Sequence, residues 1–113
     1  MAKTLSTTGL PPRVLRRAAG MLRAAAHPTR LKIIELLMSA GPLSVSALTD
    51  RLRADQPTVS AHLRELRAAN IVDARRDGRR RIYRLTNPDA AAVVQAIQRH
   101  HFRSVSFEGG EAI

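Results

Sequence analysis

Between residues 75 and 81 the chain reads "RRDGRRR", five arginines and one aspartate around a single glycine. A guanidinium is planar, permanently charged and carries its donors in a fixed fork, so it can grip a phosphate or the guanine edge through two bonds at once. Just upstream, "QPTVSAHLRELRAAN" places Gln56, Thr58, Ser60, His62, Arg64 and Arg67 within twelve residues. All of these side chains can hydrogen-bond base edges or phosphate oxygens. Taken alone, the arginine run fits a disordered basic tract, an RNA-binding or nuclear-address segment, or the tip of a hairpin pressed against nucleic acid. Its surroundings decide among them.

The charge balance narrows the chemistry. Nineteen Lys plus Arg against nine Asp plus Glu leave +10 over 113 residues, and all but Lys3 and Lys32 of the nineteen are arginine. Such a balance calls for a polyanionic partner, nucleic acid before an acidic membrane surface. Residues 51–84 hold ten arginines against Asp55, Glu65, Asp73 and Asp77, a local net of +6. The absence of cysteine excludes disulfides, thiolate metal sites and thiol redox sensing. No carboxylate pair, nucleophile–base pair or glycine-rich phosphate loop stands out, so the chain does not read as an enzyme. No apolar run approaches the length of a membrane span, the N-terminus lacks a secretion signal, and a cytoplasmic location is expected.

The elements that must position these residues follow from periodicity and punctuation. Aromatics are only 3% and tryptophan is absent, so the core must be aliphatic, which favours helices packed on helices. After Pro11-Pro12, Val14, Leu15, Ala18, Leu22 and Ala26 keep one side of a first helix apolar. His27 and Pro28 open a second, with Leu31, Ile34, Leu37 and Met38 at helical spacing, closed by Gly41-Pro42. Ser44 caps a third carrying Val45, Leu48 and Leu52. A connector, "RADQ", leads to Pro57 and a fourth, with Val59, Leu63 and Leu66 apolar and Asn70 at a left-handed C-cap. Residues 71–75 and 81–85 are β-prone and flank Asp77-Gly78, a hairpin signal. Asn87-Pro88 opens a last helix that carries Val93, Val94 and Ile97. Helix-turn-helix followed at once by a basic hairpin is a winged helix, mainly α with a small β-hairpin in the order α-α-α-α-β-β-α. In it the second helix of the pair, about 56–69, enters the major groove, and the wing, 75–81, reaches backbone or minor groove. Arg76, Arg79, Arg80 and Arg81 are then backbone-binding candidates, beside Gln56, Thr58, Ser60, His62, Arg64 and Arg67 on the helix; His62 contacts phosphate or packs at the edge of the helix pair. The domain spans 11–103, between a flexible arm at 1–10 and a flexible tail at 104–113. The other reading of the same charge is a basic protein that binds RNA or DNA architecturally, without sequence preference.

"AAAHPTRLKIIELL", "PLSVSALTDRL", "QPTVSAHLRELRAANIV" and "RRDGRRRIYRL" together resemble the ArsR/SmtB metal-sensing repressors, over about residues 18–101. The resemblance implies a homodimer paired through its first and last helices, bound to an inverted-repeat DNA operator and released by an inducer, often a metal. Two departures are Ala61, where the family is usually polar, and Asn70, where it usually has glycine. The soft-metal site of the family needs a Cys-x-Cys pair where this chain has Ser44 and Ser46, so that site is absent. A second family site, for nickel- or zinc-like ions, maps onto Asn87, Asp89, His100 and Arg103. Only His100 matches in type, and Asp89, His100 and His101 are the metal candidates that remain. Asp89 and His100 fall on nearly the same face of the last helix but about 16 Å apart, so one ion can join them only across two antiparallel chains. A metal ion or a co-regulator protein is therefore a further partner in view, beside DNA and a second copy of the chain.

Overall fold

A computed structural model describes residues 9–112 of the chain, with side chains as far as 105. The arm expected at 1–10 lies, except for its last two residues, outside the described residues. The order is α1 (Pro12–Ala25), α2 (Pro28–Ala40), β1 (Leu43–Ser44), α3 (Val45–Leu52), α4 (Gln56–Ala68), β2 (Val72–Asp77), β3 (Arg80–Leu85) and α5 (Pro88–Ala112). This is the expected winged helix with one strand more. β1 pairs antiparallel with β3, Leu43 opposite Tyr83, giving a three-stranded sheet in the order β1-β3-β2. Two residues are too few to show a period of two, so β1 left no pattern to read. The last helix, expected to run past His101 and fray beyond it, continues to Ala112. Among the described residues, no helix is long and apolar enough to cross a membrane.

The helix ends are built as the cap residues dictate. His27 Nδ1 accepts from the Thr29 amide at 3.1 Å, Ser44 Oγ from Ala47 at 3.1 Å, and Asn87 Oδ1 from Asp89 at 2.9 Å. Each satisfies one of the donors that a helix N-terminus leaves free. α4 begins one residue before Pro57, and its cap is Asp55, inside the stretch expected to be a mere connector. Asp55 Oδ1 accepts from the Thr58 amide at 2.8 Å. Hydrogen bonds from Thr58, side chain first and then backbone, lower the Asp55 pKa. At the other end, Asn70 sits at φ 59°. Its amide meets the Arg67 carbonyl at 3.0 Å and the Ile71 amide meets that of Leu66 at 2.9 Å. Those two bonds form a Schellman closure, with Leu66 and Ile71 both buried. The wing therefore leaves the recognition helix in a set direction.

Beneath the helix pair lie Ile33, Ile34, Leu37, Leu48, Val59, Leu63, Leu66 and Ile71, joined by Tyr83 from the wing and Val94 from α5. Leu31, Met38, Val45 and Leu52, expected in the stripes, sit half-buried around this centre. Ile33, which the spacing passed over, is fully buried. Gln98 on α5 donates to Glu35 Oε2 at 2.9 Å, tying the last helix to α2. That bond, followed by the one from Lys32, holds the Glu35 carboxyl below its usual range.

Candidate nucleic-acid interface

The wing's turn differs by one residue from the sequence expectation. Asp77 pairs with Arg80, so the two loop residues are Gly78 and Arg79 and not Asp77-Gly78. Gly78 has φ +66°, and Arg79 is not among the residues of positive φ. One positive φ at the first loop position is the type II′ pattern, whose twist suits a two-residue hairpin. Arg79 thus stands at the tip. Behind it, Arg76 lies directly opposite Arg81 across the ladder. Two like charges in that position repel, and a phosphate between them would relieve the cost. Nearer the base, Asp73 and Arg84 form an exposed ion pair at 3.8 Å.

The helix and the wing face each other across an open cavity of about 400 Å³. From α4 it is lined by Gln56, Ser60, Arg64 and Arg67, and from the wing by Arg79, Arg80 and Arg81. At about 100° per residue the four helix residues fall within roughly 80° of arc. The core residues Val59, Leu63 and Leu66 occupy the adjoining sector. Seven of the ten sequence-derived nucleic-acid candidates thus meet in one place, a basic cleft with hydrogen-bonding groups on its helical wall.

The other three lie elsewhere. Thr58 and His62 are roughly 200° and 240° round the helix from Gln56. Thr58 is exposed in the first turn, where it serves the Asp55 cap. His62 is not in the cleft at all: its Nδ1 accepts from Arg30 Nε at 3.0 Å and its ring leans on His27. Burial, followed by the charges of His27 and Arg30, lowers the His62 pKa. Arg76 is exposed beside Arg81 without lining the cleft. The sequence reading missed Ser46 and Tyr83, which line the cleft. It also gave Ser44 only a capping role, although that residue reaches the same wall. The signal for all three was the pairing of β1 with β3, which brings the start of α3 under the wing.

The metal candidates are not gathered within one chain. Asp89 stands in the first turn of α5, and His100 and His101 three turns further on, where His101 packs its ring 5.6 Å from that of Phe102. Asn87 spends its side-chain oxygen on the cap. Among the described residues no three His, Asp or Glu side chains come close enough to hold an ion. The described residues of a single chain therefore do not fit a nickel or zinc site.

A recognition helix walled by a basic hairpin defines a winged helix-turn-helix DNA-binding protein. Residues 27–74 match the model of the bacterial regulatory protein arsR family. The chain is 42% identical over 85 residues to the HTH-type transcriptional repressor SmtB of Mycobacterium tuberculosis, covering 74% of this chain and 62% of that one. It is 35% identical over 81 residues to an HTH-type transcriptional regulator of Methanocaldococcus jannaschii, covering 72% of this chain and 91% of that one. The homodimeric winged helix-turn-helix DNA-binding domain of Mb0332 from Mycobacterium bovis superposes with a TM-score of 0.74 at 29% identity. That match covers 88% of this chain and 94% of the other. The chain belongs to the ArsR family of transcriptional regulators, and these relatives are DNA-binding proteins and not enzymes.

Proposed function

We propose that the chain is a repressor that binds a specific inverted-repeat operator as a homodimer, in the cytoplasm where such DNA is found. The observation that carries this is the cleft, in which Gln56, Ser60 and Arg64 on α4 stand opposite Arg79, Arg80 and Arg81 on the wing. Gln56, Ser60 and Arg64 supply base contacts, and the wing supplies phosphate contacts that fix register. Dimerisation through the first and last helices is supported by what those helices leave uncovered. Leu10, Val14, Leu15 and Leu22, on and just before α1, and Ile97, Phe102 and Val105, on α5, are all exposed. So many large apolar side chains on two neighbouring helices mark an interface. The test is selection of bound duplexes from a random library at moderate salt. An inverted repeat with half-sites about one helical turn apart is the expected product. Equal recovery of all duplexes, or preference for structured RNA, would refute it.

A further inference from the structure

Three side chains, His27 and Arg30 from the start of α2 and His62 from the middle of α4, meet beside the recognition helix, outside the cleft. Arg30, in the first turn of α2, donates through Nη1 to the Ala24 carbonyl at 3.1 Å, in the last turn of α1. That carbonyl has no partner within its own helix. Through Nε, Arg30 donates to His62 Nδ1 on α4 at 3.0 Å. The His27 ring lies 4.5 Å from that of His62, tilted by 48°, and its own Nδ1 takes the Thr29 amide at 3.1 Å.

The hydrogen bonds dictate the protonation state. A guanidinium keeps its protons in proteins, and a backbone amide can only donate. Each therefore requires a lone pair on the Nδ1 it meets, which an imidazole offers there only when it is neutral with its proton on Nε2. Protonating either ring turns an N–H against another N–H and sets a new cation beside Arg30. Arg30 shares a shallow cleft with Arg23 from α1 and Glu65 from α4, the charged groups that line it. One carboxylate there already faces two arginines before any imidazole is charged.

We propose that Arg30, His27 and His62 form a positioning latch that holds α4 against the end of α1 only while both imidazoles are neutral, so that acidification weakens operator binding. Its consequence rests on the DNA-binding reading above, whereas its chemistry does not. α1 belongs to the face assigned to the dimer and α4 reads the groove, so the latch sets where each recognition helix stands relative to the dimer axis. The sign is diagnostic. Charging histidines on a protein of net charge +10 would by itself strengthen attraction to phosphate. The latch predicts the reverse. Since the folded state lowers the His62 pKa, the Arg30–His62 bond of the latch is whole above about pH 6.5 and is lost as the pH falls through that lowered value.

Two measurements on the full chain test it. In the DNA-free protein at about pH 7.5, side-chain nitrogen NMR should show His27 and His62 with unprotonated Nδ1 and an Nε2 proton. An Nδ1 proton on either ring would overturn the latch whether or not an operator is found. The second measurement is affinity for the duplex recovered by selection, at about pH 7.5 and about pH 5.5 and constant ionic strength. Wild-type affinity should fall about tenfold or more at the lower pH. His27→Asn with His62→Asn keeps an acceptor oxygen near each Nδ1 and has no proton to gain. Relative to its own affinity at the higher pH, that variant should change less than about threefold. His100→Asn with His101→Asn should keep the full drop. Wild-type affinity that holds or rises on acidification, or a double variant of His27 and His62 that keeps the drop, overturns the proposal. Melting curves at neutral pH establish that each variant is folded, and His62→Asn alone serves if the double variant is not.

Discussion

Replacing Arg79 and Arg80 by alanine tests whether the wing binds while the helix reads. Five arginines line the cleft, Arg64 and Arg67 from α4 and Arg79, Arg80 and Arg81 from the wing. With Arg64 on a base edge, four per chain and eight per dimer remain for phosphate, and if each neutralises one they contribute about −7 to the slope of log affinity against log salt, at about 0.9 per phosphate. The substitution removes two arginines per chain and four per dimer, making the slope shallower by about 3.6. Between about 50 and 200 mM salt, wild type should then lose roughly 10²-fold more affinity than the variant. Fluorescence anisotropy at several salt concentrations, on the selected duplex and on a scrambled one, measures both slopes. Binding should weaken in parallel on the two duplexes and leave their ratio nearly unchanged, because phosphate contacts carry no sequence information. An unaltered slope would refute backbone contact by the wing. A collapsed ratio at unaltered slope would move sequence reading from the helix into the hairpin.

Two further outcomes follow from the same geometry. Gly78→Ala meets no atoms within 4 Å but forces an L-residue to φ +66°, at a cost of about 1–2 kcal/mol. Thermal melting should show a lowered midpoint, and salt titration a loss of wing contacts; an unchanged midpoint would argue against the II′ turn. Leu22→Glu with Ile97→Glu puts charge on two side chains that are each 47% exposed in the single chain. Burying such groups contributes about 1.5–3 kcal/mol each and burying an unpaired charge is unfavourable. Sedimentation should therefore find monomers, and inverted-repeat binding should fall to that of a half-site. A variant that stays dimeric would place the interface elsewhere.

Local chemistry was legible in the sequence and distant chemistry was not. His27, Ser44 and Asn70 could be placed because a cap acts on donors or acceptors two to five residues away, within the reach of spacing arguments. Asp55 was passed over because "RADQ" has the composition of a linker, and a cap announces itself only once the helix start is known. The hairpin was recognised from Asp77-Gly78, yet the turn uses Gly78-Arg79, since pairing of Asp77 with Arg80 extends both strands by more than the β-prone residues suggest. β1 exists only because β3 lies beside it. His62 was the hardest case. Its spacing is compatible with phosphate contact and equally with packing at the edge of the helix pair, and the Arg30 bond that decides for the second joins residues 32 apart in the chain. No periodicity within α4 encodes a partner on α2.

That placement gives α4 three faces with separate tasks. Val59, Leu63 and Leu66 are fully buried and anchor the helix in the core. Gln56, Ser60, Arg64 and Arg67 face the wing across the cleft. His62 and Glu65 lie on the side toward α1, where Arg30 bridges to the Ala24 carbonyl. Because a helix repeats every 3.6 residues, substitutions on the cleft face leave both other faces untouched. Base preference can thus change without loss of anchorage or of the latch. The converse also holds. A change at Arg30 or His27 touches no base, yet it alters where all four cleft residues of α4 stand, and with them those of the second copy in the dimer. Residues outside the reading face can govern operator affinity on this scaffold, and they do so through the position of α4 and not through contact with DNA.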